Sequence, residues 1–150
     1  MKVAIAADHG GFDLKTQLVA RLKTDGFDVA DLGTYDTTRV DYPDYAKKLG
    51  EYILAGNARR GILLCGSGVG ASVAANKIKG IRASVCHDTY SAHQGVQHDD
   101  MNVLVMGGRV IAIELAHEIS RAYLAAELLQ QEPYLGRLKK VLAMEEAMCQ

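Results

Sequence analysis

The residues of this chain best suited to chemistry are Cys65-Gly66-Ser67-Gly68-Val69-Gly70. They follow the apolar run Gly61–Leu64 and lead into an alanine-rich segment. Glycines at a strand-to-helix turn let the backbone approach a ligand, and the free N–H groups there attract negative charge. A thiol in that setting is favoured as thiolate and can exchange protons near neutral pH. Ser67 adds a hydroxyl to the same anion-binding turn. Taken alone, the pattern fits a tight turn beside an inert, buried thiol equally well. Cys86 also ends an apolar strand but lacks the glycine loop, and Cys149 lies near the tail; both read as structural or incidental.

Other residues fit supporting roles. Asp8-His9 ends the first apolar run, and a histidine there can bind an anion or act as acid or base. Arg109, after Gly107-Gly108, is a natural anion clamp. Tyr42-Pro43 closes a long polar loop, and Arg137 opens the last helix. His98 precedes a strand, with Asp99 and Asp100 beside it to tune it. Each residue alone has a plain structural alternative: a cap, a surface ion pair or a packed ring. His87, His93 and His117 read as surface histidines.

Several chemistries lack their signatures. GxxxxGK[ST] is absent, and the glycines are spaced GxGxG, which is not the dinucleotide fingerprint. A cysteine phosphatase closes its loop with an arginine where this chain has Ala71. No CxxC or HExxH supports a zinc site, so the expectation is neither metal nor cofactor.

Strand and helix signals alternate around these residues. Strands are predicted over 2–7, 27–32, 61–65, 81–86 and 102–106. Helices are predicted from about 12 to 25, from Pro43 to about 55, over 71–78, 91–97, 111–129 and 135–148. The pattern predicts an α/β fold, a Rossmann-like doubly wound sheet of five parallel strands with helices on both faces. Ligands then bind along the rim where the strands end, on loops 8–11, 33–42, 66–70, 87–90 and 107–109. His9, Tyr42, His98 and Arg109 are all expected on that rim.

The 150 residues suit one domain; 49% are hydrophobic and 23% charged, as in a soluble globular chain. A net charge of −1, with scattered lysines and arginines, offers no nucleic-acid footprint. No apolar run is long enough for a membrane span or a signal peptide, so a cytoplasmic location is expected.

Together these blocks resemble the type B ribose-5-phosphate isomerases, a family that also includes galactose-6-phosphate and allose-6-phosphate isomerases. The resemblance rests on Ala7-Asp8-His9-Gly10-Gly11, Asp41-Tyr42-Pro43-Asp44-Tyr45, the Cys65–Gly70 loop, Ala74-Ala75-Asn76-Lys77 and Gly80-Ile81-Arg82-Ala83. It continues through His98, Asn102-Val103-Leu104 and Gly107-Gly108-Arg109-Val110. It implies that Cys65 moves a proton between C1 and C2 of an open-chain sugar phosphate. It gives enediolate stabilisation to Ser67 and the backbone of Gly66, Gly68, Val69 and Gly70. His98 would open the sugar ring, Asp8 and Tyr42 would hold hydroxyls, and His9, Arg109 and Arg137 the phosphate. It further implies a site between two subunits, hence a homodimer or a tetramer, with the last helix at the interface.

Two positions depart from the family's usual pattern. Asp99 stands where Asn is usual, and Pro133 replaces the first of two arginines, leaving Arg137. A carboxylate near a developing enediolate repels it unless protonated or turned away. These departures keep open a sister isomerase acting on a hexose 6-phosphate or tetrose 4-phosphate. A non-catalytic sugar-phosphate-binding module is the reading from another class.

Overall fold

In the central strands, consecutive side chains alternate between two apolar layers. The computed structural model describes residues 1–149. Its strands are β1 (Lys2–Ala7), β2 (Asp28–Asp31), β3 (Arg60–Cys65), β4 (Ala83–Val85) and β5 (Val103–Gly107). Its helices are α1 (Phe12–Thr24), α2 (Tyr42–Leu54), α3 (Val69–Ala75), α4 (Thr89–Asp99), α5 (Ile113–Ala125) and α6 (Tyr134–Met148). All strands pair in parallel, in the order β2-β1-β3-β5-β4. The doubly wound parallel fold expected from the alternation is the fold observed.

The layers follow from the period of two. Val3, Ile5, Ile62, Leu64, Leu104 and Met106 face a cluster completed by Leu14, Leu18 and Leu22 of α1, Val96 of α4 and Ile119 and Tyr123 of α5. Ala4, Ala6, Leu63, Cys65, Val103 and Val105 face the opposite cluster, with Ala46 and Leu49 of α2 and Ala71 and Ala75 of α3. Burial on both faces explains the near-continuous apolar runs of β1, β3 and β5. No helix among the described residues is long and apolar enough to cross a membrane.

Three of the differences from expectation have a local reason. α5 stops at Ala125 rather than 129, because Ala126 is extended. The buried Arg60 guanidinium meets that helix end, donating to the carbonyls of Tyr123 (2.8 Å), Leu124 (3.1 Å) and Ala126 (2.5 Å). Desolvation pulls the Arg60 pKa down from its ordinary value. β4 shrinks to three residues because side chains replace part of its ladder. Asn102 accepts from the Arg82 N–H and donates to the Gly80 carbonyl, both at 2.8 Å. Asn76 makes the corresponding pair with Ala83, at 2.9 and 2.8 Å. α3 begins at Val69 rather than 71, directly after Gly68, whose φ of +86° is left-handed and suits glycine.

Candidate active site

The strand ends of β1, β3 and β5 continue their cross-links one step into the loops that follow. Asp8 N–H bonds the Leu64 carbonyl at 3.1 Å, Gly108 N–H the Cys65 carbonyl at 2.7 Å, and Arg109 N–H the Gly66 carbonyl at 3.0 Å. Three turns, 8–11, 65–68 and 107–109, are thereby locked side by side. The fit is tight enough to dictate residue type: a Cβ on Gly11 would lie 2.5 Å from the Leu64 carbonyl carbon.

Cys65 sits at the centre of this assembly, 4% exposed. The Gly68 N–H donates to its Sγ at 3.1 Å. Around it, Asp8, Tyr42, Gly66, Ser67, Gly70, Arg109 and Val110 line a cleft of about 340 Å³. Asp8 is buried, and its Oδ1 accepts from Gly10 N–H (2.9 Å) and Gly11 N–H (3.2 Å). The Ser67 hydroxyl, exposed at the mouth, accepts the Val69 N–H at 3.2 Å. Tyr42 opens α2 and lies across the glycine loop, for a Cβ on Gly70 would fall 2.7 Å from its ring. The Arg109 guanidinium lies against Gly66, with Nη1 3.2 Å from where a Cβ would stand.

His9 stands on the same rim, its Nδ1 within 3.2 Å of both the carbonyl and the N–H of Val40. The ring can donate to one or accept from the other, according to its tautomer. Either bond ties the first turn to the loop that delivers Tyr42.

The expectation that His98 shares this rim is corrected. His98 is on the last turn of α4, five residues before β5 begins, whereas Cys65 ends β3. In a parallel sheet those positions are opposite edges, on the order of 15 Å apart for a five-residue strand. His98 stacks on Tyr134 of α6, ring centroids 4.1 Å apart and planes at 19°. Asp99 is exposed beside it; its carbonyl accepts from Arg82 Nε at 3.1 Å. Arg137 is exposed on α6, a helix packed against α4 and bound to the 79–80 turn through Glu145 and Glu146. Within one chain, then, Cys65, Ser67, Asp8, Tyr42 and Arg109 converge, while His98 and Asp99 lie at the end of α4 and Arg137 lies on α6, outside that cleft.

Sequence reasoning missed three participants. Val110 lines the cleft, and Tyr134 carries the His98 ring. His87 is half-buried rather than superficial, its Nε2 accepting the Gly107 N–H at 2.9 Å. Only His87 had a signal, its place on a rim loop. Among the described residues, no group of three or more His, Cys, Asp or Glu side chains is gathered as a metal site.

An all-parallel α/β sheet with a thiol at the glycine turn of its middle strand is the architecture of a known enzyme family. The chain matches the Ribose/Galactose Isomerase family over residues 3–141 and belongs to it. Among its relatives is ribose-5-phosphate isomerase B of Escherichia coli, 44% identical over 145 residues and 97% of each chain. D-erythrulose-4-phosphate isomerase of Pectobacterium atrosepticum is 45% identical over 129 residues, 85% of this chain and 84% of that one. The solved structure of Clostridium thermocellum ribose-5-phosphate isomerase B superposes with a TM-score of 0.95 at 40% identity, covering 99% of both chains.

Proposed function

We propose that this isomerase interconverts ribose 5-phosphate and ribulose 5-phosphate, with Cys65 as the proton-transfer residue. The observation that carries the reading is the Gly68 N–H on Cys65 Sγ, at the mouth of a cleft lined by Asp8, Tyr42, Ser67 and Arg109. The Cys65 thiolate takes the C2 proton of the open-chain aldose, and the electron pair moves onto the C1 carbonyl oxygen. Loop N–H groups and Ser67 stabilise the enediolate charge on that oxygen. A proton passes from the C2 hydroxyl to the C1 oxygen, and the thiol returns its own proton to C1 as the C2 carbonyl forms. The C2 hydrogen has then become a C1 hydrogen, with no redox partner consumed. Asp8 and Tyr42 hold the sugar hydroxyls, and Arg109 and His9 grip the phosphate.

His98, Asp99 and Arg137 reach the cleft from a second subunit, where His98 opens the sugar ring. Their place at the opposite end of the strands supports a homodimer, doubled into a tetramer only if α6 leaves a further face open. Exposed Val141, Met144 and Met148 make α6 a suitable interface helix. The chain acts in the cytoplasm as one domain, on a pentose phosphate of central carbohydrate metabolism.

The test mixes two variants. Cys65→Ala and His98→Ala are each expected to be nearly inactive, but reassorted dimers regain about a quarter of wild-type turnover, because one site in each hybrid is intact. Inactivity of the mixture, with hybrids demonstrated, overturns the shared site. Full activity of Cys65→Ala overturns the cysteine mechanism.

A second reading, a four-carbon sugar phosphate as substrate, is favoured by Asp99, by Pro133 and by the D-erythrulose-4-phosphate isomerase relative. Catalytic efficiencies on tetrose, pentose and hexose phosphates decide between them. A clear preference for ribose 5-phosphate rejects the second reading.

A further inference from the structure

His87 follows β4 on the same rim as Cys65, and the reaction above gives it no task. Its Nε2 accepts the Gly107 N–H, which fixes the neutral ring with Nε2 bare and the proton on Nδ1. Gly107 is the floor beneath the glycine loop. A Cβ on Gly107 would lie 2.7 Å from the Ser67 carbonyl carbon and oxygen. From above, a Cβ on Gly68 would lie 3.2 Å from the Met106 carbonyl carbon and 3.4 Å from the Gly107 nitrogen. Gly68 is the residue whose N–H meets Cys65 Sγ. The two residues after Gly107 hold the carbonyls of Cys65 and Gly66.

We propose that His87 is a positioning residue for Cys65. By accepting the Gly107 N–H it holds the 106–107 peptide flat beneath Ser67 and Gly68, and so keeps the Gly68 N–H aimed at the sulfur. Without that acceptor, a donor in a buried residue must find a new partner. The peptide turns, and the loop resting on it follows. The inference rests on the reading of Cys65 as the proton-transfer residue.

The test compares His87→Leu with His87→Gln, whose Oε1 can reach the same N–H. The Leu variant is expected to lose about tenfold in kcat, with KM within about twofold of wild type. Alkylation of Cys65 by iodoacetamide, followed by mass spectrometry of its peptide, should slow in parallel. The Gln variant restores both. Should the Leu variant fail to fold, His87→Met keeps the bulk with only a weak acceptor and takes its place. Wild-type kcat and alkylation in the Leu or Met variant, or a Gln variant as impaired as they are, overturns the proposal. A parallel Cys65→Ala measurement separates the two readings. Retained turnover there sinks the cysteine mechanism, while the alkylation arm still decides whether His87 governs the thiol.

Discussion

Cys65 closes β3, Cys86 follows β4 by one residue, and the two are buried to nearly the same degree, 4% and 3% exposed. They face opposite layers of the sheet. Cys65 receives a backbone N–H from a loop that also lines a cleft. Cys86 packs into the larger apolar cluster, where burial pushes its thiol pKa up and a hydrogen bond with Ser84 offsets that only in part. Burial therefore does not distinguish the two thiols. The difference lies in what comes after the strand: Gly-Ser-Gly returns the Gly68 N–H to the sulfur, whereas His87-Asp88 leads away into α4.

The largest expected effect would break this comparison if it failed. Cys65→Ala should lower turnover by about 10³-fold, in the range of a lost proton-transfer group. Cys86→Ala should leave turnover within about twofold while lowering unfolding free energy by about 1 kcal/mol, the loss of a small buried group. Steady-state rates and urea melts of both variants measure it; equal loss of turnover in the two would erase the distinction. Next comes the packing that makes the Cys65 side special. Gly11→Ala puts a methyl into the Leu64 backbone and should destabilise the fold by about 2–3 kcal/mol, as overpacking against a rigid neighbour does. A melt unchanged from wild type would show that the turns are not locked. The smallest effect concerns Cys86 and alkali. Its folded pKa is raised, so above the ordinary thiol range the unfolded chain loses a proton that the folded one keeps. Raising the pH through that window favours unfolding. Wild-type stability should fall more steeply there than that of Cys86→Ala; parallel curves would reject it.

The strands and most helices were legible because the sheet is buried on both faces, which writes continuous apolar runs into the sequence. Loops could be assigned to a rim because parallel strands leave no choice of side. What failed was of another kind. The end of α5 depends on Arg60, about sixty residues away, and the length of β4 on two asparagine side chains. No local pattern records such partners. The cleft around Cys65 could be read as loops on one rim. His98 could not be placed by the same rule, because it precedes a strand instead of following one. The stacking of His98 on Tyr134, like the bond from the Gly107 N–H to His87, is a tertiary contact without a motif.

The asparagine that pairs with the start of β4 has a consequence for the free border of the sheet. An open sheet has two free borders, and each is a template on which a foreign strand can grow. At the β4 border, Asn76 already occupies both the N–H and the carbonyl of Ala83, in the manner of a neighbouring strand that never extends. β4 is three residues long, so little template remains. Sheet-to-sheet growth is discouraged on that side by a side chain playing the part of a backbone, so the free border of β4 is closed from within the chain itself.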